Sequence, residues 1–333
     1  MAAVEIGFIG CGSRAQDHYT SLAAMDDVDI VATCDIDESA LSETADRYDI
    51  PNRYTDYEVM LDEHEFDGVY MIMSPTFLDP IVTDVLDRGE NVFIEKPPGV
   101  HSEQTRRWAE LADRNGCHTC VGFQRRFHPV SVEARRRIEE QSDVRYGVAT
   151  FHKHTPEWTN QLHDDVMHVI DLLCWMGDGI EDVHGFHGQL FTDPTDFDQF
   201  NANVFVGVFE FANGGIGILN ANRTAGGRDL EFEMHGNAIS TYGGIHGAVE
   251  TDELVVQADG ESYGDVEQTS VADLFPSAEP ETKVDGTFQI NRHFTDCLRE
   301  NQTPDVTFAD VIESMEAMEA ITHGERLPTD FDE

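Results

Sequence analysis

The first part of the chain alternates short apolar runs with longer segments in which apolar residues recur every three or four positions. Short apolar runs bounded by turn residues indicate buried strands, and the longer spacing indicates amphipathic helices. The predicted strands are Val4–Ile9, Asp29–Cys34, Asp67–Met73, Asn91–Ile94 and Cys117–Phe123. The predicted helices are Gln16–Met25, Glu38–Tyr48, Asp79–Arg88 and His101–Asn115. Strands that alternate with helices predict a parallel, doubly wound α/β sheet.

After residue 123 the pattern changes, because strand-like runs follow one another with few helices between them. Such runs are typical of a mostly antiparallel sheet in an α+β domain. The predicted strands are Tyr146–Lys153, Val183–Leu190, Asn203–Phe211, Gly215–Asn222, Asp229–His235, Ala238–Tyr242 and Glu253–Gln257. The predicted helices are Pro129–Gln141, Gln161–Met176, Phe288–Arg299 and Phe308–His323, and the acidic stretch Asp265–Asp285 is predicted to be a surface loop. We therefore expect two domains, at residues 1–123 and 124–333.

The first predicted strand runs directly into the glycine-rich loop Gly10–Ala15, which has the pattern G-x-G-x-x-A. Between a strand and a helix, this pattern indicates a dinucleotide-binding loop. Gly10 permits the tight turn, and Gly12 lets the backbone approach a pyrophosphate, which the N–H groups of the helix N-terminus attract. The loop predicts a Rossmann NAD(P)-binding domain.

An acidic residue, Asp35, follows the second predicted strand at the expected distance from the glycine loop. A carboxylate there accepts hydrogen bonds from the adenosine ribose and repels a 2′-phosphate. No arginine follows directly, since the next residues are Ile36 and Asp37. The sequence therefore predicts NAD rather than NADP, the alternative being an ordinary turn aspartate.

The carboxyl ends of parallel strands share one edge of the sheet, where open α/β sheets bind ligands. Strand Asn91–Ile94 ends at Glu95 and Lys96, because Pro97 and Pro98 lack the N–H groups that a strand ladder needs. Lys96 is one of only three lysines, and its place predicts a cofactor-facing side chain rather than an ordinary surface lysine. The residues expected to contact the cofactor are Gly10, Cys11, Gly12, Ser13, Arg14, Asp35, Ser74, Pro75, Thr76, Glu95, Lys96, Pro97 and Gln124.

A second group of polar residues lies on the predicted helix Gln161–Met176. Asp164 and His168 are four residues apart, and Asp171 is three further on, so all three share a helix face. Neighbouring carboxylates can fix the tautomer of the imidazole and tune it as a base. The alternative is a packed histidine behind an N-cap aspartate, but a redox site needs a base.

Metal binding is a weaker interpretation of the same region, and we expect no metal. Cys117 and Cys120 have C-x-x-C spacing, but no second pair completes a zinc site, so buried thiols are expected. No H-E-x-x-H pattern joins the residues that could otherwise offer ligands. Those residues are His152, His154, His163, His168 and Asp164.

The chain of 333 residues is strongly acidic, with 21 basic and 65 acidic residues and a formal net charge of −44. The acids are spread along the whole chain, so its surface repels nucleic acid and anionic membranes. In molar salt the Debye length falls to ~3 Å and this self-repulsion is screened, so we expect a halophilic source. No apolar run reaches the ~18 residues of a membrane span, and no basic leader precedes the first strand, so a cytoplasmic location is expected.

Several motifs together resemble the glucose–fructose oxidoreductase / inositol dehydrogenase / MocA superfamily, across nearly the whole chain. They are Gly10-x-Gly12, Asp35, Ser74-Pro75, Glu95-Lys96-Pro97, Gly122–Phe127 with Pro129, Asp164-x-x-x-His168-x-x-Asp171 and the late helix Phe288–Arg299. The arrangement Leu162–Asp171 with Arg125–Phe127 is most similar to a subgroup of virulence-factor-like oxidoreductases. The resemblance implies a Rossmann domain, followed by a domain whose open, mostly antiparallel sheet forms a homodimer or homotetramer.

The resemblance also implies roles for individual residues. Lys96 would bind the reacting hydroxyl and help to move its proton, His168 would be the general base, and Asp164 would orient the substrate. Gln124 would lie near the nicotinamide. The family often has a histidine in the loop after Ser74-Pro75, whereas this chain has Asp79 or one of its neighbours there.

The expected function is that of an NAD(P)-dependent oxidoreductase acting on a hydroxyl or carbonyl group of a sugar, polyol or sugar derivative. One alternative is an NAD-containing glycoside hydrolase, which would release no net NADH. Another is a catalytically silent protein that senses NAD or a sugar. The residues expected to contact the substrate are Lys96, Arg126, His154, Trp158, Asp164 and His168.

The charge yields a first prediction: the melting temperature should rise by several degrees between 0.1 M and 2 M KCl, because salt screens the repulsion among the acidic side chains. The measurement is differential scanning calorimetry, with sucrose at matched osmolality as the uncharged control. A protein that keeps its fold and its melting temperature after dialysis into low salt would contradict the halophilic interpretation.

Overall fold

The computed structural model describes residues 2–154, 166–188, 202–246, 251–258, 266–274 and 285–326. The chain divides into two compact units. The first comprises Met1–Gln124 and Glu279–Ile312, and the second comprises Arg125–Ala278 and Glu313–Glu333. Among the described residues, no helix combines the length and the apolar character that a membrane span requires.

The elements are numbered in chain order. The strands are β1 Val4–Ile9, β2 Val28–Cys34, β3 Asn52–Tyr54, β4 Gly68–Met71, β5 Val92–Ile94, β6 Thr119–Val121, β7 Tyr146–His154, β8 Ile180–Gly188, β9 Val204–Phe211, β10 Ile216–Asn222, β11 Thr224–Gly236, β12 Ile239–Gly244, β13 Glu253–Ala258, β14 Val266–Ser270 and β15 Glu325–Arg326. The α-helices are α1 Ser13–Ala23, α2 Glu38–Arg47, α3 Tyr57–Glu63, α4 Pro75–Asp87, α5 Ser102–Asn115, α6 Pro129–Glu139, α7 Met167–Met176, α8 Val271–Leu274, α9 Thr287–Glu300 and α10 Ile312–Thr322.

The first unit contains a six-stranded sheet with the strand order β3-β2-β1-β4-β5-β6, in which every pair is parallel. This is the strand order of the Rossmann fold, so the predicted α/β class is confirmed. The order reverses between β1 and β4, and ligands bind beyond the carboxyl ends of the strands at such a switch point. Every residue of β4 and β5 is buried, as expected for central strands covered on both faces.

The predictions missed two elements of this unit and misplaced the start of a third. β3 has three residues, none of them buried, so no apolar run marks it. The short helix α3 begins after Asp56, whose side chain accepts a hydrogen bond from the Glu58 N–H. Helix α4 begins at Pro75 rather than at Asp79. A proline at the first helical position needs no N–H partner, and its fixed φ already suits a helix.

Helix α9 belongs to the first unit, although it lies far along the chain and the sequence-based division assigned residues 124–333 to the second domain. The Phe294 ring lies 5.7 Å from the rings of both Tyr70 and Phe93, measured between centroids. A Cβ on Gly68 of β4 would lie 2.8 Å from Leu298, so the helix packs closely on the sheet. Helix α9 therefore completes the core of the first unit.

The second unit contains a nine-stranded sheet with the order β14-β13-β12-β11-β7-β10-β9-β8-β15. The pairs β7–β10 and β8–β15 are parallel and the others are antiparallel, which confirms the predicted mostly antiparallel sheet. One face of the sheet is covered by α7, since a Cβ on Gly147 would lie 3.6 Å from Leu173.

The predicted surface loop at Asp265–Asp285 is wrong for its described part. Val266–Ser270 forms the edge strand β14, and Val271–Leu274 forms the helix α8. The edge strand is rich in exposed polar residues, so it lacks the alternation that would have revealed it. Parts of the predicted elements Gln161–Met176 and Val183–Leu190 lie outside the described residues, which cover α7 and β8.

The other face of the nine-stranded sheet carries apolar side chains that are only partly buried. Val208 of β9 pairs with Ile218 of β10, which pairs with Val148 of β7, and all three are partly exposed. Two residues away along the same strands, Tyr146 of β7 pairs with Ile216 of β10; they are 41% and 46% exposed.

The packing of α9 yields a second prediction: Phe294→Ala should destabilise the protein by about 3–5 kcal/mol, because it removes a fully buried aromatic ring from the core of the first unit. Urea unfolding in molar KCl gives the measurement. The matched control is Phe77→Ala, since that ring is 67% exposed and its loss should change stability little. A loss below 1 kcal/mol for Phe294→Ala would contradict the assignment of α9 to this core.

Candidate active site

The glycine loop connects β1 to α1 at the carboxyl edge of the parallel sheet. Gly10 has φ +111°, and a Cβ there would lie 2.2 Å from the carbonyl oxygen of Ile72. Its N–H donates to the Cys34 carbonyl oxygen over 2.8 Å, which ties the loop to β2. Only glycine fits this position, because both the positive φ and the close backbone exclude a side chain.

Gly12 has a different role from Gly10, since it occupies the N-cap of α1 in an extended conformation. A Cβ on Gly12 would find no atom within 4 Å, so the space beside it is open. No side chain caps this helix end, which leaves backbone N–H groups at the positive end of the helix dipole. The loop therefore fits the pyrophosphate of NAD.

The Asp35 carboxylate is held in place by two backbone N–H groups at the end of β2. The Cys11 N–H donates to Oδ2 over 2.6 Å, and the Asp37 N–H donates to Oδ1 over 2.8 Å. Each oxygen keeps a lone pair available, so the carboxylate can still accept the hydrogen bonds of a ribose diol. The geometry fits the role predicted for Asp35.

Residues Ser74, Pro75 and Thr76 form the start of α4, after β4. Ser74 and Thr76 are exposed, and their hydroxyl oxygens lie 2.9 Å apart. Phe77 follows them and is 67% exposed. The sheet thus brings the glycine loop, Asp35 and Ser74–Thr76 to adjacent strand ends around the switch point.

Glu95 is a buried carboxylate at the end of β5, and Arg14 reaches it from α1. Arg14 Nε donates to Glu95 Oε1 over 2.7 Å, and Arg14 Nη2 lies 2.6 Å from the same oxygen. His18 Nε2 lies 2.9 Å from it as well. The backbone N–H of Lys96 donates to the other oxygen, Oε2, over 3.0 Å. Glu95 therefore organises the loop that carries Lys96.

Burial alone would raise the pKa of Glu95, but the Arg14 guanidinium, followed by His18 and Lys96, lowers the pKa to about 2. Burial alone would lower the pKa of Arg14, but the negative charges of Glu95, Asp285 and Asp17 raise it above its ordinary value. Because the folded-state pKa of Glu95 lies below its ordinary value of 4.5, ionised Glu95 stabilises the fold at neutral pH. That contribution is lost as the pH falls through this range towards about 2.

Lys96 and Gln124 lie beside this carboxylate in the first unit. Lys96 is half-buried, and the Lys96–Pro97 peptide bond is cis. Gln124 is buried, and with its amide oriented to satisfy its neighbours it donates to the Gly122 carbonyl oxygen over 2.6 Å. Its side-chain oxygen then accepts from Arg14 over 3.2 Å. Both predicted residues therefore belong to one group of contacts with Arg14 and Glu95.

In the second unit, a buried ion pair fixes the helix that carries His168. Arg126 Nε donates to Asp171 Oδ2 over 2.8 Å, and Arg126 Nη2 donates to Oδ1 over 2.6 Å. Ser314 donates to the same carboxylate over 2.9 Å. Burial raises the pKa of Asp171, an effect that Arg126 and Ser314 oppose. Arg126, which was predicted to bind substrate, thus makes a bidentate pair that anchors α7.

His168 lies in the first turn of α7 and is 8% exposed. His154 ends β7 and is exposed. The adjacent strand β10 is parallel to β7, and the buried Arg223 follows its end. The predicted residues Asp164 and Trp158, like the possible metal ligand His163, lie outside the described residues.

Comparison with known proteins identifies the chain. The model of the GFO/IDH/MocA oxidoreductase family with an NAD-binding Rossmann fold matches residues 4–123, and that of the GFO/IDH/MocA C-terminal domain matches residues 129–241. The chain belongs to the GFO/IDH/MocA family. The predicted superfamily and the predicted NAD-dependent oxidoreductase are therefore confirmed, whereas the virulence-factor-like subgroup stays a prediction.

Curated relatives of this GFO/IDH/MocA chain include a dehydrogenase and a catabolism protein. The chain is 26% identical over 292 residues to a Bacillus subtilis scyllo-inositol 2-dehydrogenase (NAD(+)). This alignment covers 83% of this chain and 80% of that protein. It is 32% identical over 154 residues to the rhizopine catabolism protein MocA of Rhizobium meliloti, and this alignment covers 44% of each protein.

Solved structures with the same fold include NADH-bound levoglucosan dehydrogenase, with a TM-score of 0.82, 18% identity and 96% of each chain covered. An Agrobacterium radiobacter oxidoreductase in complex with NAD+, L-tartaric acid and magnesium has a TM-score of 0.81, 14% identity and 97% of each chain covered. At these identities the likeness shows the fold of the GFO/IDH/MocA chain.

Two members of the Glu95 group were missed at the sequence level, namely His18 and Asn291. His18 lies one helical turn after Arg14, so a polar residue on the buried face of α1 was the available signal. Asn291 had no such signal, because it is 273 residues from its partner His18. Its place on the buried face of α9 emerges only from the fold.

The two glycines yield a third prediction, in which they act as controls for each other. Gly10→Ala should destabilise the protein by about 2 kcal/mol or more, because of the positive φ and the Ile72 carbonyl. Gly12→Ala should leave stability within ~0.5 kcal/mol, since nothing opposes the added methyl. It should weaken NAD binding roughly tenfold, about 1.4 kcal/mol, by filling the space for the pyrophosphate.

The measurements are urea unfolding and calorimetric titration with NAD in molar KCl. Unchanged NAD affinity in Gly12→Ala would contradict the assignment of this loop to the cofactor.

Proposed function

We propose that this NAD-dependent dehydrogenase oxidises a secondary hydroxyl of a sugar, polyol or sugar derivative, with Lys96 and His168 handling the hydroxyl proton. The observation that supports this best is the buried Glu95 carboxylate, which pairs with Arg14 and accepts the backbone N–H of Lys96 in the NAD-binding unit. The relatives named for inositol and levoglucosan support the substrate class.

The proposed chemistry needs one proton and one hydride to leave the carbinol. NAD, when bound, supplies the hydride acceptor. The Lys96 ammonium stabilises the developing alkoxide by its charge, which is strongest where water is excluded. His168 removes the proton as a general base, a role that suits an imidazole because its ordinary pKa lies near neutral pH. Asp164 hydrogen-bonds the substrate and orients it.

The proposed NAD contacts follow the geometry of the first unit. Gly10, Cys11, Gly12, Ser13 and Arg14 surround the pyrophosphate, and Asp35 accepts from the adenosine ribose. Ser74, Pro75 and Thr76 border the site from α4. Glu95, Lys96, Pro97 and Gln124 form the side towards the nicotinamide. The ribose contact of Asp35 favours NAD over NADP.

Further substrate contacts are proposed at His154 and Trp158, which can hydrogen-bond to a sugar or stack on it. For Arg126 we propose an indirect role, because Nε and Nη2 of its guanidinium donate to the two oxygens of the buried Asp171 carboxylate. It positions α7 and thereby His168. The two alternative functions, a glycoside hydrolase and a silent sensor, are not favoured by the relatives, which are named as dehydrogenases.

We also propose that the chain forms a homodimer or homotetramer through the partly exposed apolar face of the nine-stranded sheet, with a second copy of the chain as the occupant. The row Val208, Ile218 and Val148 supports this, because it lies on the face opposite α7. The dispersed negative charge supports a halophilic source, and we propose a cytoplasmic location.

The test of function uses a panel of sugars and polyols, scored by NADH absorbance in molar KCl. With the best substrate, Lys96→Met and His168→Ala should each lower kcat by ~10²-fold or more while the Kd for NAD changes little. His323→Ala, an exposed histidine of the second unit, is the control and should behave as wild type. A kcat of Lys96→Met close to that of the wild type would contradict the proposed role of Lys96 in proton transfer.

A further inference from the structure

His18 is a fully buried histidine that none of the roles above requires. It is 0% exposed and lies on α1. Its ring contacts that of Phe93 edge-on, with 5.1 Å between the centroids, and lies 6.1 Å from that of Tyr70. An imidazole in such apolar surroundings needs partners for both nitrogens, because an unsatisfied buried polar group is costly.

Both ring nitrogens of His18 face hydrogen-bond acceptors. Nε2 lies 2.9 Å from Oε1 of Glu95, which is ionised and can only accept. Nδ1 lies 3.1 Å from Oδ1 of Asn291. The orientation of the Asn291 amide is set by its own nitrogen, which donates to the Thr287 carbonyl oxygen over 2.8 Å. An imidazole that donates at both nitrogens is the cation.

The surrounding charges can hold such a cation. Glu95 supplies the negative charge, and Arg14 and the backbone of Lys96 bind the same carboxylate. On α1, Arg14 also pairs with Asp17 over 2.9 Å. The other titratable groups that face this cluster are Tyr70 of β4 and Asp285, which precedes α9. Contacts from Arg14 and from a protonated His18 would together hold the Glu95 carboxylate in one orientation.

The bonds form a continuous path from α9 to Lys96. Asn291 meets His18, His18 meets Glu95 Oε1, and Glu95 Oε2 accepts the Lys96 N–H. We propose that His18 is held as an imidazolium between Glu95 and Asn291, and that His18 and Asn291 are positioning residues that fix the Glu95 carboxylate and thereby Lys96. The effect on catalysis rests on the proposed function of Lys96.

The chain offers an unusually direct test, because Lys96, Lys153 and Lys283 are its only lysines. Protein labelled with ¹⁵N at lysine gives three backbone amide signals in a correlation spectrum, and Lys96→Met assigns one of them. His18→Gln removes the imidazolium and should move the Lys96 signal while the other two stay. Asn291→Leu removes the acceptor at Nδ1 and should move it in the same direction.

Two variants serve as controls for these shifts. His118→Gln changes a histidine of the same unit that is paired with Asn301 over 3.2 Å, beside the amino end of β6, and should leave all three signals in place. Asn291→Asp keeps an acceptor for Nδ1 and should keep the Lys96 signal near its wild-type position. A Lys96 signal that does not move in folded His18→Gln overturns the positioning role.

The protonation state is tested in the unmodified protein, so folding of a variant cannot obscure it. In a long-range ¹H–¹⁵N spectrum of histidine-labelled protein at pH 7.5, the His18 signals should show both ring nitrogens protonated. They should keep this pattern as the pH is raised through the ordinary range of a free imidazole, about 6.5. A neutral pattern, with one protonated and one bare nitrogen, overturns the imidazolium.

Kinetics separate this inference from the proposed function. His18→Gln should lower kcat roughly tenfold, with an unchanged Kd for NAD, and Asn291→Asp should restore most of the rate lost in Asn291→Leu. If wild-type protein oxidises no sugar or polyol, the proposed function fails, but the lysine and histidine spectra still decide the inference. If turnover is present and His18→Gln retains it fully, the catalytic part of the inference fails alone.

Discussion

The Glu95 carboxylate is the constraint on which the NAD-binding unit depends. A buried charge is stable only when hydrogen bonds and opposite charges replace its lost hydration. Arg14 and His18 provide them from α1, and the Lys96 N–H provides one from the loop after β5. The same group of contacts also links α9 to the sheet, because Oδ1 of Asn291 lies within hydrogen-bond distance of His18 Nδ1. The position of Lys96 is therefore a property of the packed unit, not of its loop alone.

The second unit also contains a buried carboxylate, which is paired with Arg126. Asp171 is fully buried, and Arg126 and Ser314 bind both of its oxygens. Removing one partner of such a pair costs more than the pair contributes, because an uncompensated charge remains. The pair thus holds α7, and with it His168, in one register. Each unit carries one proposed proton-handling residue next to one buried carboxylate with an arginine partner.

The sequence was sufficient where the information is local. The order of strands and helices, the turn at Gly10 and the carboxylate at Asp35 follow from apolar periodicity and from a motif in its context. It was insufficient for β3 and β14, whose residues are short of apolar character. It was also insufficient for α9 and for Asn291, because their partners lie in residues distant along the chain. Contacts between residues distant along the chain do not produce a periodic pattern of apolar residues in the sequence.

The central claim is that this chain transfers a hydride from a carbinol to NAD and releases the reduced cofactor. Transfer of deuterium tests it most directly, with C-deuterated inositols and hexoses, NAD+ and enzyme in molar KCl, and the cofactor analysed by mass spectrometry. The expected result is free NADH that carries one deuterium for each substrate molecule oxidised. Converted substrate with no labelled NADH released, as in a hydrolase that returns the hydride to the sugar, would contradict it.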